Sequence, residues 1–246
     1  PGPGDLGVLP GLRLAGEGGA LGTALAGLGD INGDGLGDFI AGAPGFDGSG
    51  AAEPHTGRGY VIFGAEGEEH APESQAADTG DTVPGVILEG IDAGDNTFTA
   101  LAAAGDVDGD GLMDTLLGAS GAQPGGFSGA AYLLFGARRF DPVLSLRDLA
   151  SADGAPAAGR YYYNTLGTAG FAFGASVTAA GDLNADKISD FLVGRDGGLF
   201  SFFGEASQTA ATYRFRSRPT ESDAGSLPGG TGSEIGETSR RDVGGL

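Results

Sequence analysis

The sequence predicts an all-β fold made of three four-stranded antiparallel repeats, each the size of a β-propeller blade. One observation is an aspartate-rich loop that recurs at a strict spacing of 76 residues, starting at Asp30, Asp106 and Asp182. The other is that short apolar runs separated by turn residues surround each loop, and none keeps a sustained helical period of about 3.6 residues. The internal repeat therefore sets the architectural unit, in preference to the overall length of 246 residues.

Each repeat holds four apolar runs in the same order, and the aspartate loop joins the second run to the third as a hairpin connection. The predicted strands are 12–14, 23–28, 39–43 and 60–63, then 86–88, 98–104, 115–118 and 131–135, then 161–163, 173–180, 191–193 and 199–203. Small residues dominate the second strand of a repeat, as in Ala100-Leu-Ala-Ala-Ala104. Close packing of sheets around an axis selects small residues, although a generally high alanine and glycine content is the alternative explanation.

The strand runs divide the chain into six predicted segments. They are blade 1 at 1–64, an acidic linker loop at 65–85, blade 2 at 86–136, a linker at 137–159, blade 3 at 160–204, and a polar C-terminal strand and tail at 205–246. Three blades are fewer than the roughly four to eight of a closed propeller. We therefore expect a partial propeller or one completed by other chains, through a protein partner or self-association.

The three loops have the composition of an oxygen-ligated metal site. They read Asp30-Ile-Asn-Gly-Asp-Gly-Leu-Gly-Asp38, Asp106-Val-Asp-Gly-Asp-Gly-Leu-Met-Asp114 and Asp182-Leu-Asn-Ala-Asp-Lys-Ile-Ser-Asp190. Crowded carboxylates repel one another unless a cation lies among them, and an all-oxygen set suits Ca²⁺. An EF-hand is excluded because it requires a glutamate at position 12 and flanking helices. The remaining alternative is a hairpin turn rich in Asp and Asn without an ion.

The predicted Ca²⁺ ligands occupy loop positions 1, 3, 5 and 9, with a backbone carbonyl at position 7. They are Asp30, Asn32, Asp34, Leu36 and Asp38 in the first loop, Asp106, Asp108, Asp110, Leu112 and Asp114 in the second, and Asp182, Asn184, Asp186, Ile188 and Asp190 in the third. Glycines at positions 4 and 6 of the first two loops permit positive φ values. The third loop has Ala185 and Lys187 there, so it is the least favourable of the three sites.

Composition narrows the function classes. The formal net charge of −20 disfavours nucleic acid as a partner, because a phosphate backbone would be repelled. The chain has no cysteine, which excludes a disulfide framework and thiol catalysis. No run reaches the roughly 20 apolar residues of a membrane span.

One segment resembles a known repeat family. Gly29-Asp-Ile-Asn-Gly-Asp-Gly-Leu-Gly-Asp-Phe-Ile-Ala-Gly-Ala-Pro44, followed by Gly59-Tyr-Val-Ile-Phe-Gly64, resembles the FG-GAP repeat of integrin α-subunit β-propellers and of bacterial surface proteins. The later copies keep Gly118-Ala-Ser120 and Phe173-Gly174, but Gly194-Arg-Asp196 replaces Gly-Ala-Pro in the third. The resemblance implies Ca²⁺ between two strands of a blade and a role in recognition.

These observations favour a non-enzymatic, calcium-binding interaction, adhesion or scaffolding module in an extracellular, cell-surface or periplasmic assembly. No nucleophile and base arrangement is evident, so no catalytic residue is predicted. The alternative is a carbohydrate-binding or accessory domain of a secreted hydrolase, with Tyr161-Tyr-Tyr163 as a sugar platform or as ordinary core residues. His55 and His70 are expected to be solvated loop residues, and Arg214, Arg216 and Arg218 either meet an acidic surface or blunt an edge strand.

Overall fold

The computed structural model describes residues 12–16, 18–47, 56–66, 73–123, 128–150, 158–164, 172–206 and 212–215. Within these ranges the chain is nearly all β, as predicted, with two short 3₁₀ turns at Ala76–Asp78 and Leu146–Ala150. The described residues form four sheets, and two of these have five strands. His55, His70, Arg216 and Arg218 lie outside the described residues, as does most of the predicted C-terminal tail.

All twelve predicted strands are present. In chain order the strands are β1 Arg13–Ala15, β2 Ala24–Gly29, β3 Asp38–Ala43, β4 Arg58–Ile62, β5 Glu73–Gln75, β6 Gly85–Glu89, β7 Thr97–Gly105, β8 Asp114–Ala119, β9 Ala130–Leu134, β10 Val143–Ser145, β11 Gly159–Asn164, β12 Ser176–Gly181, β13 Asp190–Arg195, β14 Gly198–Phe202 and β15 Thr212–Phe215. The C-terminal strand predicted within 205–246 corresponds to β15. β5 and β10 were not predicted: Glu73-Ser-Gln75 has no apolar residue, and Val143-Leu-Ser145 lies in the segment that was assigned as a linker.

The sheets do not coincide with the predicted sequence repeats. The first sheet has the order β10-β6-β4-β3-β2 and the second has the order β15-β11-β9-β8-β7. β6 was assigned to the second repeat, yet it pairs antiparallel with β4 of the first. β11 likewise completes the second sheet by pairing with β9, although it was assigned to the third repeat. Each of these two sheets therefore takes its fourth antiparallel strand from the start of the following sequence repeat.

The third and fourth sheets are smaller. β12, β13 and β14 form a three-stranded antiparallel sheet, and β1 and β5 form a separate parallel ribbon. From here on, blade 1, blade 2 and blade 3 mean the observed sheets that contain β2, β7 and β12, respectively, and no longer the segments predicted from the sequence. The strands β2, β7 and β12 lie side by side, so the three blades are stacked in chain order. The sheets do not close into a ring within the described residues.

Most of the apolar core lies between the blades. One cluster lies mainly between blades 1 and 2 and includes Ile40, Leu88 and Tyr132, and another lies mainly between blades 2 and 3 and includes Phe173 and Phe191. Glycines permit the close approach: a Cβ at Gly118 of β8 would lie 2.1 Å from the carbonyl oxygen of Gly174. This packing orients the blades so that their aspartate loops follow one another at one end of the stack.

Candidate metal centre

Each aspartate loop closes the hairpin between the first two strands of its blade. In the first loop, Asp30 accepts hydrogen bonds from the backbone amides of Gly33 at 2.6 Å, Asp34 at 3.1 Å and Gly35 at 2.8 Å. Gly33 and Gly35 have φ values of 77° and 87°, a region that L side chains rarely adopt. These positive φ values turn the amides inward, which is why the sequence places glycine at loop positions 4 and 6.

The carboxylate at loop position 9 is buried and joins three segments of its blade. Asp114 is fully buried, and it accepts the amide of Val107 at 2.7 Å and that of Gly136 at 2.8 Å. Asp38 makes the equivalent bonds with Ile31 and Gly64. Asp190 does so with Leu183 and Gly204. This residue therefore fixes the loop to the end of the third strand.

The second loop brings three carboxylates together. Single oxygens of Asp106, Asp108 and Asp114 all lie within 4.8 Å of one another. Burial raises the pKa of Asp114 to about 7, the backbone bonds from Gly136 and Val107 oppose the rise, and the neighbouring charges of Asp108 and Asp106 add to it. A cation among these oxygens would favour the ionised form. The donor set and its spacing therefore fit a hard metal ion.

The first loop also has a buried carboxylate at position 9 beside other oxygen ligands, but it has an amide side chain at position 3 where the second loop has a carboxylate. Asn32 at position 3 accepts the amide of Asp34 at 2.9 Å, and its own side-chain amide donates to the Asp34 carboxylate at 2.8 Å. Burial is also the main cause that raises the pKa of Asp38 above its ordinary value. The loop thus presents the oxygen of Asn32 where the second loop has Asp108.

The third loop keeps the same bonds despite its two substitutions. Asp182 accepts the amides of Asp186 at 3.1 Å and Lys187 at 2.9 Å, and the amide of Lys187 is the main cause that lowers the pKa of Asp182. Ala185 and Lys187 adopt φ values of 64° and 73°. The left-handed region costs a residue with a Cβ roughly 1–2 kcal/mol. The third loop therefore keeps the fold of the other two at a cost in backbone strain.

The predicted ligands are not all equivalent in the structure. The fifteen residues predicted as ligands belong to the three hairpin loops, and the close carboxylate group of the second loop does not include Asp110. The side chain of Asp110 accepts the amide of Leu112 at 2.8 Å, and Asp34 and Asp186 accept those of Leu36 and Ile188 in the same way. Sequence reasoning missed the amides of Gly64, Gly136 and Gly204, although the Phe-Gly pair that ends each third strand marks them.

Consecutive loops are joined by backbone hydrogen bonds. Met113 donates to the carbonyl of Asp30 at 3.1 Å, and Ala137 donates to that of Ile31 at 2.9 Å. The next joint repeats this pattern: Ser189 donates to the carbonyl of Asp106 and Glu205 to that of Val107, at 2.9 and 3.0 Å. A loop therefore organises its own blade and also the contact with the blade that follows.

The tyrosine run lies mostly inside the protein. Tyr162 and Tyr163 are buried, and Tyr161 stacks on Tyr132 with ring centroids 4.8 Å apart. Tyr162 also packs edge-on against Phe191 and Phe202 of blade 3. The run therefore serves packing between blades, and it does not present a row of exposed rings for a sugar.

Stacked β-sheet blades with an aspartate loop in the same antiparallel hairpin of each define a class, that of propeller-type repeat proteins with acidic loops. Within this class, residues 21–62 match the FG-GAP repeat family, so the chain carries an FG-GAP repeat over blade 1. No curated protein matches the chain. In the part of the chain that the structure describes, no helix has the length and apolar character needed to cross a membrane.

Proposed function

We propose that this chain is a non-enzymatic, calcium-binding β-propeller repeat module that mediates protein–protein interaction or adhesion. The observation that carries the proposal is the three-carboxylate group of Asp106, Asp108 and Asp114 in the second loop. FG-GAP repeats are generally interaction or adhesion modules and often bind calcium, and blade 1 matches that family. The repeated loop geometry extends the proposal to all three loops, with the third weakened by its backbone strain.

The proposed ions stabilise the blades. Ca²⁺ prefers carboxylate and carbonyl oxygens, which are the groups that each loop presents. Bound between the two strands of the hairpin, the ion would offset the repulsion among the carboxylates and the burial of the position 9 charge. Because the first two loops also contact the following blade, calcium would stabilise the joints between blades as well as the blades themselves.

We propose an extracellular, cell-surface or periplasmic location for this role. FG-GAP repeats occur in proteins of these compartments, and the strongly acidic composition, with a net charge of −20, favours solubility there. Calcium sites of extracellular modules commonly have dissociation constants of about 10⁻⁴–10⁻³ M. Such sites would be occupied at the millimolar calcium of an extracellular medium.

A thermal melt with calcium and with chelator tests the proposal. A site with a dissociation constant of about 10⁻⁴ M would add roughly 1.4 kcal/mol of stability at about 1 mM calcium. We expect the melting temperature to rise by several degrees in calcium, and to rise much less in the same concentration of magnesium, which demands a stricter octahedral geometry. An unchanged melting temperature in calcium and chelator would contradict the proposed role of the ions.

A further inference from the structure

An arginine that follows β9 of blade 2 lies against the first aspartate loop, which belongs to blade 1. A Cβ on Gly33, at loop position 4, would lie 3.3 Å from Nη1 and 3.6 Å from Cζ of Arg138. Gly33 stands between Asn32 and Asp34, which are two of the predicted Ca²⁺ ligands. The guanidinium of Arg138 therefore places a positive charge at the rim of the first loop.

Backbone hydrogen bonds hold this arginine beside the loop. Gly136 donates to the carboxylate of Asp114 at 2.8 Å, and Ala137 donates to the carbonyl of Ile31 in the first loop at 2.9 Å. Arg138 is the next residue, so its backbone stays at the loop as long as these bonds are made. The position of the charge is therefore a fixed feature of the joint between blades 1 and 2.

The joint between blades 2 and 3 has the same backbone pattern without the cation. Glu205 donates to the carbonyl of Val107 at 3.0 Å, which is the counterpart of the bond made one residue before Arg138. Ala206 therefore takes the place of Arg138, and its Cβ lies 3.5 Å from the position of a Cβ on Gly109 of the second loop. The preceding residue, Glu205, is exposed and acidic. The first loop thus receives a positive charge from the next blade, and the second loop does not.

The two loops also differ in their own charge. The second loop has an aspartate at all four side-chain ligand positions, whereas the first has Asn32 at position 3. The number of charged ligands is one of the properties that set the Ca²⁺ affinity of a loop. A cation beside a loop acts in the same direction as the loss of a carboxylate, because it repels the ion. Asn32 and Arg138 therefore both favour weaker binding in the first loop than in the second.

We propose that Arg138 is an affinity-determining residue of the first loop, and that its charge, supplied by blade 2, lowers the affinity of blade 1 for Ca²⁺. This inference rests on the proposed calcium sites and deepens that proposal by naming a residue that regulates one of them. A unit charge about 8 Å from a divalent ion weakens its binding roughly two- to five-fold at low salt. The second loop should therefore fill at a lower calcium concentration than the first.

The neighbouring arginine provides a matched comparison. Arg138 and Arg139 are both exposed, and both line a cavity of about 430 Å³ together with Asp110 of the second loop. Of the two arginines, Arg138 supplies the atoms nearest to Gly33. Asp110 lies outside the close carboxylate group of the second loop. The charge of Arg138 should therefore act more strongly on the first loop than on the second, and more strongly than that of Arg139.

Isothermal titration calorimetry of the chain with one intact loop tests the proposal. In the background D106N/D108N/D182N/D186N, the first loop keeps all of its predicted ligands. In this background we expect R138Q to bind calcium roughly two- to five-fold more tightly. R138K should bind like the parent because lysine keeps the charge, and R139Q should change the affinity much less. An unchanged or weaker affinity in R138Q, an equal gain in R139Q, or an R138K that behaves like R138Q would overturn the inference.

The same titrations at two salt concentrations separate a charge effect from a change in loop structure. Salt screens the repulsion between two charges, and the Debye length falls to about 3 Å at about 1 M salt. We expect the gain in R138Q to be largest in dilute buffer and to approach zero in about 1 M KCl. A gain that does not depend on salt would overturn the proposed action of the charge.

The second joint offers the reverse substitution. The background D30N/D34N/D182N/D186N keeps the predicted ligands of the second loop, and A206R would place a guanidinium where the methyl group of Ala206 now lies near Gly109. We expect A206R to weaken calcium binding in this background roughly two- to five-fold. A206Q has a long side chain without a charge, so it should have little effect. Equal affinities of A206R and A206Q would contradict control of the loop by a cation at this place.

Failure of this inference can be told apart from failure of the proposed calcium sites. If the first-loop background binds calcium and R138Q does not change its affinity, this inference alone is overturned and the proposed calcium-binding module stands. If the unmodified chain shows no saturable calcium binding, both are overturned.

Discussion

At the residue scale, the carboxylate at loop position 9 is a candidate metal ligand and also accepts two backbone amides. The sequence indicates only the first of these functions. The spacing identified Asp38, Asp114 and Asp190 as candidate ligands. It did not show that each accepts two backbone amides, one of them 14 to 26 residues further along the chain. That amide belongs to the glycine after the third strand, and the spacing of loop ligands within nine residues holds no information about it.

This dual role predicts different outcomes for two aspartates of the same loop. Asparagine at position 114 has one acceptor oxygen, so D114N would leave one buried amide without a partner and lower the free energy of unfolding by about 1–3 kcal/mol, even in chelator. Asparagine at exposed position 110 keeps the oxygen that accepts the amide of Leu112, so D110N should change stability in chelator by less than about 0.5 kcal/mol.

Urea unfolding in chelator at pH 8 measures the two variants where the Asp114 carboxyl, with a pKa of about 7, is mostly ionised. The matched variant D110N controls for the loss of one charge from the same loop. Equal stability of D114N and D110N in chelator would show that Asp114 does not hold the blade together in the way we describe.

At the scale of elements, the strands could be predicted and their partners could not. Alternation of apolar runs with turns located the twelve strands assigned to the three repeats, because burial of one strand leaves a local signal. No local signal shows that β6 pairs within blade 1 and β11 within blade 2. The sequence repeats with the same period whether a blade is taken to begin or to end with these strands. Glycines at 85 and 159 carry the missing information: a Cβ at either would lie 2.1 Å from a carbonyl oxygen of the neighbouring strand.

Because blades 2 and 3 are in close contact at β8, adding one methyl group there should lower the stability of the protein. In G118A the new Cβ would meet the carbonyl of Gly174 at 2.1 Å, so we expect a loss of about 1–3 kcal/mol in the free energy of unfolding. The control G27A lies in the equivalent sheet of blade 1 with nothing within 4 Å, and it should be neutral or stabilising by up to about 1 kcal/mol. Chemical denaturation of both variants provides the comparison, and equal destabilisation would mean that the blades are not packed this closely.

At the scale of the whole molecule, the three loops form a series along one end of the stacked blades. Each loop holds its own hairpin and bonds to the end of the third strand of its blade through position 9. The first two loops also receive amides from the next blade. The sequence predicted three acidic loops, with the third the least favourable as a metal site, and an open array. The joints between them could not be predicted, because they connect backbone groups and are independent of side-chain identity.

Isothermal titration calorimetry of the chelator-treated chain with calcium tests the central claim most directly. We expect saturable binding, and in D106N/D108N a stoichiometry lower by one ion per chain, because two of the three clustered carboxylates lose their charge. The matched control D141N/D148N removes two exposed carboxylates outside the loops and should keep the full stoichiometry. Absence of saturable binding, or an unchanged stoichiometry in D106N/D108N, would contradict the account.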